Sequence, residues 1–99
     1  MAEVQYTEPA LLDLDSIEQF IISRSDTDTA TNFINELSET FYLLAEMPKM
    51  GRARNDLQRG MRMFVHHRYV ILYSEIDNGV LIERVAPPYR NIEKMFENE

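Results

Sequence analysis

Several residues of the types that cleave RNA stand close together in the second half of the chain. Such cleavage requires a base for the 2′-hydroxyl, an acid for the leaving oxygen, and cations that stabilise charge on phosphorus. The residues with suitable chemistry are Arg62, His66, His67, Tyr73, Tyr89 and Arg90. Adjacent residues of a strand point to opposite faces, so we do not expect His66 and His67 to act as one pair. We interpret both as turn histidines. We assign no catalytic residue to the chain. If it is an endoribonuclease, the catalytic candidates are Arg62, Tyr89 and Arg90.

A cluster of basic residues interrupts an otherwise acidic chain. The protein has 99 residues and a net charge of −7, yet residues 47–74 carry six basic residues and one acidic residue. Residues 1–46 carry ten acidic residues and one basic residue, and residues 75–99 carry six acidic and three basic. A local reversal of charge beside an apolar strand is typical of a binding surface.

Two interpretations of these basic residues stay open. They form either a solvated loop that balances the acidic helices or a surface for an acidic segment of a partner protein. In the first case, Arg52 and Arg54 would pair with acidic residues such as Glu46 of the preceding helix. In the second case, the partner-binding residues are Arg52, Arg54, Arg59, Arg62, Arg84 and Arg90.

Composition excludes several classes of protein. The chain has no cysteine, which excludes disulfides, thiolate zinc sites and a cysteine nucleophile. No apolar run approaches the roughly 20 residues that span a bilayer, and no signal peptide is visible, so we expect a cytoplasmic protein without membrane contact. The net charge of −7 argues against direct DNA binding, which depends on neutralising phosphates. We predict no cofactor and no metal site.

The apolar periodicity predicts an α+β fold in one domain spanning residues 1–99. Residues 4–7 alternate like a short strand, and Pro9 suits the first turn of a helix. Two helices follow, the second capped by Asp26 or Asp28, and the short break between them predicts an antiparallel hairpin. The apolar stripes are Ala10, Leu11, Leu14, Ile17, Phe20 and Ile21, then Ala30, Phe33, Ile34, Leu37, Phe41, Leu44 and Ala45.

The second half of the chain has the alternation and turn residues of a β-meander. Pro48 ends the second helix, and residues 51–60 are predicted to be a loop. Asp77-Asn78-Gly79 favours a tight hairpin turn. Pro87-Pro88 stops the last strand, and residues 91–98 are predicted to form a short C-terminal helix. The three predicted antiparallel strands are residues 61–65, 69–75 and 80–85.

These residues together resemble the ParE branch of the RelE/ParE superfamily, the toxins of bacterial type II toxin–antitoxin pairs. The family's usual His-Gly step before the last arginine is replaced here by Pro87-Pro88-Tyr89. The segments that carry the resemblance are Ala10-x-x-Asp13-Leu14-x-x-Ile17-x-x-Phe20-Ile21, residues 30–44, Pro48-x-x-Gly51-Arg52-x-Arg54, Gly60-Met61-Arg62, Tyr69-Val70-Ile71-Leu72-Tyr73, Gly79-Val80-x-Ile82-x-Arg84-Val85 and Arg90-Asn91-Ile92.

The resemblance implies a protein-binding toxin more than an enzyme. A ParE-type toxin would inhibit DNA gyrase, arrest growth and contribute to plasmid stabilisation. It would be neutralised by a cognate antitoxin, whose C-terminal segment folds along the two helices and a strand edge. Two alternatives stay open. One is a ribosome-dependent mRNA endonuclease of the RelE type, although those relatives are typically strongly basic, and the other is a non-toxic binding module.

Overall fold

The computed structural model of the protein describes residues 2–96. Strand β1 (Glu3–Tyr6) is followed by helices α1 (Glu8–Arg24) and α2 (Thr27–Glu46). None of the helices within the described residues is long and apolar enough to cross a membrane. The predicted α+β class and order of elements are confirmed. The remaining elements are a 3₁₀ helix at Pro48–Met50, β2 (Arg52–Ala53), β3 (Met61–His66), β4 (Tyr69–Ile76), β5 (Gly79–Ala86) and a second 3₁₀ helix at Glu93–Phe96.

Both helices begin at residues whose side chains cap them. The Thr7 hydroxyl accepts a hydrogen bond from the backbone N–H of Ala10 at 3.1 Å, at the start of α1. Asp26, rather than Asp28, caps α2, because its carboxylate accepts the N–H of Thr29 at 2.7 Å. That hydrogen bond also lowers the pKa of Asp26. The short connection between the helices confirms the predicted antiparallel hairpin.

The predicted meander of β3, β4 and β5 is the centre of a five-stranded mixed sheet with the order β1-β5-β4-β3-β2. Strand β1 runs parallel to β5, and a glycine at position 79 is required there, because a Cβ on Gly79 would collide with the backbone of Glu3. At the other edge, β2 pairs with Arg62 and Met63 of β3. The prediction of a loop throughout residues 51–60 is therefore wrong at Arg52–Ala53. A two-residue edge strand is too short to show alternation.

The two helices cover one face of the sheet and bury the main core there. The predicted stripe of α2 is confirmed, but Leu11 and Phe20 of α1 are half-exposed and do not belong to the core. Each fully buried large aliphatic side chain contributes roughly 1.5–3 kcal/mol. The buried core residues are Ala10, Ile17, Leu37, Phe41, Leu44, Ala45, Ile71, Tyr73, Val80, Ile82 and Val85.

A bulge in β5 determines which of its side chains face the helices. The register with β4 shifts by one residue, which leaves Glu83 as the extra residue on β5. Ile82 and Val85 consequently both lie in the helix-facing core, whereas strict alternation would have placed Arg84 there. The Thr7 hydroxyl donates to the carbonyl of Glu83 at 2.8 Å, so the bulge is joined to the cap of α1.

The C-terminal segment contains less helix than predicted. Residues 91–98 were expected to be helical, but the structure has one 3₁₀ turn at Glu93–Phe96, and the end of the predicted helix, including Asn98, lies outside the described residues. The Asn91 side chain caps this turn by accepting the backbone N–H groups of Glu93 and Lys94 at 3.1 and 3.3 Å.

Candidate partner-binding surface

A buried tyrosine fixes the start of the loop at residues 51–60, here called the basic loop, to the sheet. The Tyr73 hydroxyl donates to the carbonyl of Pro48 at 2.7 Å and accepts the N–H of Gly51 at 2.8 Å. Gly51 has no room for a side chain, since a Cβ would collide with the Tyr73 ring and hydroxyl. Burial raises the pKa of Tyr73. Because Tyr73 is 0% exposed, it cannot contact a substrate and is removed from the RNA-cleaving candidates.

Arg54 joins the basic loop to the C-terminal segment. Its guanidinium donates two hydrogen bonds of 2.9 Å to the carboxylate of Asp56, and it lies 3.7 Å from the carboxylate of Glu93. The hydrogen bonding of its guanidinium to the Asp56 carboxylate is the main reason why the pKa of Arg54 is raised. The expectation that acids of the helical hairpin hold Arg54 is therefore wrong. Its partners come from its own loop and from the residues after β5.

Three further arginines lie in or next to the basic loop. One, on β3, is bound within the fold, and the other two face solvent. Arg62 donates to the backbone carbonyl of Gly51 at 2.6 Å, across the β2–β3 pair. Arg52 and Arg59 are exposed, and neither forms an ion pair within residues 2–96. The predicted pairing of Arg52 with Glu46 is accordingly not present among the described contacts.

Arg84 connects β5 to α1 through a two-pronged pair with Asp13. Its Nε and Nη2 donate to the two carboxylate oxygens of Asp13 at 2.7 and 3.0 Å, and the N–H of Val85 adds a third bond of 2.9 Å. The pair is largely shielded from solvent, and hydrogen bonding to Asp13 raises the pKa of Arg84. The sequence contains one signal for this pair. Asp13 stands on the flank of the buried stripe, between Ala10 and Ile17.

A groove of about 230 Å³ lies between α1 and the segment that follows β5. Tyr89 is 81% exposed at this groove, and Arg90 is exposed beside it. Arg62 is not among the described residues that line the groove, so the three endoribonuclease candidates are not brought into one cavity. The lining residues are Asp13, Ser16, Ile17, Phe20, Tyr69, Val85, Pro87, Tyr89 and Arg90.

The two histidines meet at one carboxylate of α2. The Nε2 atoms of His66 and His67 lie 3.8 and 3.7 Å from Oε1 of Glu36, and the ring centroids are 4.5 Å apart. The expectation that the two side chains point to opposite faces is wrong because His67 lies in the turn after β3, with φ of 47°, and not in the strand. Burial is the main cause that lowers the pKa of His66, and the nearby His67 lowers it further.

Exposed apolar side chains gather at one end of the helical hairpin. The antiparallel arrangement places the first turns of α1 beside the last turns of α2, and four large apolar residues of those turns, together with Met47 just after α2, are 44–63% exposed. Apolar residues clustered in this way mark interaction surfaces, whereas scattered ones carry no such meaning. We call this surface the hairpin end, and its residues are Leu11, Leu12, Tyr42, Leu43 and Met47.

The architecture is a helical hairpin on one face of a mixed sheet, with an arginine-rich loop bound to the far strand. Residues 4–90 match the family described as ParE toxin of type II toxin-antitoxin system, parDE. The chain therefore belongs to the ParE toxin family, and the resemblance found in the sequence is confirmed.

One further similarity is in sequence and one is in fold. The chain is 28% identical over 92 residues to Toxin ParE3 of Caulobacter vibrioides, which covers 93% of this chain and 92% of that protein. A solved structure described as the chromosomal ParDE TA system from P. aeruginosa superposes with a TM-score of 0.73 at 18% identity, over 88% of this chain and 96% of that one. The second likeness confirms the fold.

Proposed function

We propose that this chain is the toxin of a type II toxin–antitoxin pair, that it inhibits DNA gyrase by binding the enzyme, and that a cognate antitoxin neutralises it. The observation that carries the proposal is the family match over residues 4–90. The net charge of −7 favours a protein target over ribosome-bound RNA, because nucleic-acid affinity comes mostly from neutralised phosphates. The solved relative described as a ParDE system supports an antitoxin partner.

The hairpin end is the surface that best fits the antitoxin. Four of its five apolar side chains lie on the helices and Met47 directly follows α2, so an amphipathic segment can cover them with its own apolar face. Such a segment loses conformational entropy when it folds on the toxin, and burial of both apolar faces offsets this cost. The surrounding helices are acidic, since residues 1–46 hold ten acidic residues and one basic residue. The antitoxin segment should therefore carry basic residues beside its apolar ones.

Gyrase contacts are proposed at the arginines that face solvent. Arg52 and Arg59 on the loop and Arg90 beside the groove have no ion-pair partner within residues 2–96. Unpaired surface cations can attract an acidic segment of a large partner and speed its association. Arg54, Arg62 and Arg84 are predicted partner-binding residues too, but their contacts within the chain make their first role the positioning of the loop and of β5.

A supercoiling assay with purified gyrase tests the target. We expect the toxin to inhibit supercoiling and to cause cleaved DNA to accumulate, and equimolar antitoxin to restore activity. Unchanged supercoiling without cleaved DNA would contradict the gyrase proposal. New mRNA ends during growth arrest would then indicate an endoribonuclease, and normal growth on induced expression would indicate a non-toxic binding module.

Two substitutions at the hairpin end test the antitoxin surface separately. Leu12→Glu and Leu43→Glu place charges on side chains that are already exposed, so the fold should be retained. We expect both variants to inhibit gyrase normally but to lose antitoxin rescue. Asn32→Glu adds the same charge at the opposite end of α2 and serves as the matched control. Rescue that persists in the leucine variants would show that the antitoxin binds elsewhere.

A further inference from the structure

One cluster of side chains has no role in the proposed toxin function. Glu36 of α2 and the two histidines at the end of the β3–β4 hairpin bring one ligand atom each to within 4.8 Å of one another. These are the only histidines of the chain, and they come from an element that is separated from Glu36 by thirty residues. Imidazole and carboxylate together form the ligand set typical of zinc and neighbouring transition metals.

The distances in the cluster fit a metal better than they fit hydrogen bonds. Oε1 of Glu36 lies 3.8 Å from Nε2 of His66 and 3.7 Å from Nε2 of His67, beyond the range of about 2.7–3.2 Å for hydrogen bonds. Ligands bound tetrahedrally at about 2.0–2.1 Å lie roughly 3.3–3.5 Å from one another. A shift of a few tenths of an ångström would bring Oε1 of Glu36 to this spacing from each Nε2, and the three ligand atoms already lie within 4.8 Å of one another.

His66 is oriented as a metal ligand would be. Its Nδ1 lies 3.1 Å from the hydroxyl of Thr40, so this nitrogen can donate its proton and leave a lone pair on Nε2, the nitrogen that lies 3.8 Å from Oε1 of Glu36. Nε2 is buried and has no hydrogen-bond partner among the described residues. Buried polar atoms nearly always have a partner, so this orphan nitrogen is an independent sign of a ligand.

The backbone and the adjacent ring hold the two imidazoles in place. His67 and Arg68 form the hairpin turn with φ of 47° and 72°, a conformation in which asparagine and glycine are usual and other residues are uncommon. Phe33, on the same face of α2 as Glu36, packs against both histidine rings with centroids at 5.8 and 6.4 Å. Backbone conformations that are unusual for non-glycine residues occur often at functional sites, and this turn is one of them.

We propose that Glu36, His66 and His67 bind one Zn²⁺ or a similar transition-metal ion, with Glu36 and His67 on its solvent side. Three protein ligands leave a fourth tetrahedral position for water or for a donor atom of a bound partner. The ion would join α2 to the β3–β4 hairpin, two elements that are otherwise linked in this region by the Thr40–His66 contact and the packing of Phe33.

Zinc titration of the chelator-treated, untagged protein by calorimetry tests this proposal. We expect one saturable site per chain, with binding at least tenfold weaker in His67→Ala and in Glu36→Gln. Both side chains are exposed, so these variants should fold, which circular dichroism would verify. Glu39→Gln removes another exposed carboxylate of α2 and should leave affinity unchanged. Equal affinity in all four proteins, or no saturable binding, would overturn the proposal.

Nitrogen NMR of the imidazoles gives a readout that does not depend on affinity. Because His66 and His67 are the only histidines, every imidazole signal belongs to the site. We expect Zn²⁺ to move the Nε2 resonances of both rings and to leave Nδ1 of His66 protonated. Zinc that shifts backbone signals near other carboxylates and leaves the imidazole nitrogens unchanged would show weak surface binding and refute the site.

Discussion

Arg84 and Arg90 stand six residues apart and occupy opposite environments. Arg84 sits at the β5 bulge and donates two hydrogen bonds to Asp13 in a pair that is 22% and 12% exposed. Arg90 follows β5, is exposed beside the groove, and forms no ion pair within residues 2–96. The same contrast separates Arg54 from Arg59 within the basic loop.

This contrast divides the arginines of the second half of the chain into a shielded group and an exposed group. The shielded arginines hold the loop, the C-terminal segment and β5 in position, because a carboxylate or carbonyl faces each of them. The exposed arginines contribute little to stability, since solvent-exposed ion pairs and single charges are worth about 1 kcal/mol or less. Net charge identifies the basic segment, and the contacts within the chain show which of its arginines are left exposed.

The largest effect is expected for Arg84→Ala. This change leaves Asp13 shielded from solvent with one backbone hydrogen bond and no cation. Breaking a fully buried pair costs about 3–5 kcal/mol, and the partial exposure here reduces the expected loss of unfolding free energy to about 2–3 kcal/mol. Urea denaturation followed by circular dichroism measures it. Arg90→Ala is the control and should change stability by about 0.5 kcal/mol or less.

A comparable loss in both variants would contradict the division between shielded and exposed arginines. Arg84→Lys refines the test, because lysine keeps the charge but cannot make the two parallel hydrogen bonds to Asp13. We expect its stability to lie between that of the wild type and that of Arg84→Ala.

The next effect concerns the anchor of the basic loop. Tyr73→Phe removes one hydroxyl that serves both Pro48 and Gly51 and leaves two polar backbone groups without this partner. We expect a loss of about 1–2 kcal/mol in unfolding free energy and faster hydrogen exchange at the N–H of Gly51. Tyr69→Phe, on the same strand, removes a hydroxyl with no hydrogen bond in the described structure and should have a smaller effect. Equal losses would show that the hydroxyl contacts do not hold the loop.

The helices and the meander could be predicted because their signals are local. The stripe from Ala30 to Ala45 repeats at helical spacing over about four turns. Asp77-Asn78-Gly79 marks the β4–β5 hairpin without any information from elsewhere in the chain. Residue type and position narrow the cap of α2 to Asp26 or Asp28, and the structure has Asp26.

Other features could not be predicted because they depend on residues far apart in the chain. Strand β2 is two residues long and exists only through its pairing with β3. The Asp13–Arg84 pair spans 71 positions and needs the β5 bulge to turn Arg84 toward α1. The meeting of His66 and His67 depends on a turn whose sequence, His-Arg, is not one that favours positive φ.

The smallest effect on stability is expected for the exposed arginines Arg52 and Arg59, whose substitution should instead weaken inhibition of gyrase. Arg52→Ala combined with Arg59→Ala removes two exposed charges that make no described ion pair, so the unfolding free energy should change by about 0.5 kcal/mol or less. If these arginines contact an acidic segment of gyrase, the toxin concentration needed for half-inhibition of supercoiling should rise about tenfold, which corresponds to about 1.4 kcal/mol. The difference between double variant and wild type should shrink as salt is added, because screening weakens the contribution of exposed charges.

The double change to lysine separates charge from geometry in this experiment. Arg52→Lys with Arg59→Lys keeps the net charge, so most of the inhibition should return if long-range attraction to the partner is what matters. Inhibition that stays weak in the lysine variant would point instead to two-pronged contacts with carboxylates, which lysine cannot make. Full inhibition by the alanine variant would place the target surface elsewhere, with Arg90 beside the groove as the remaining exposed arginine of the comparison.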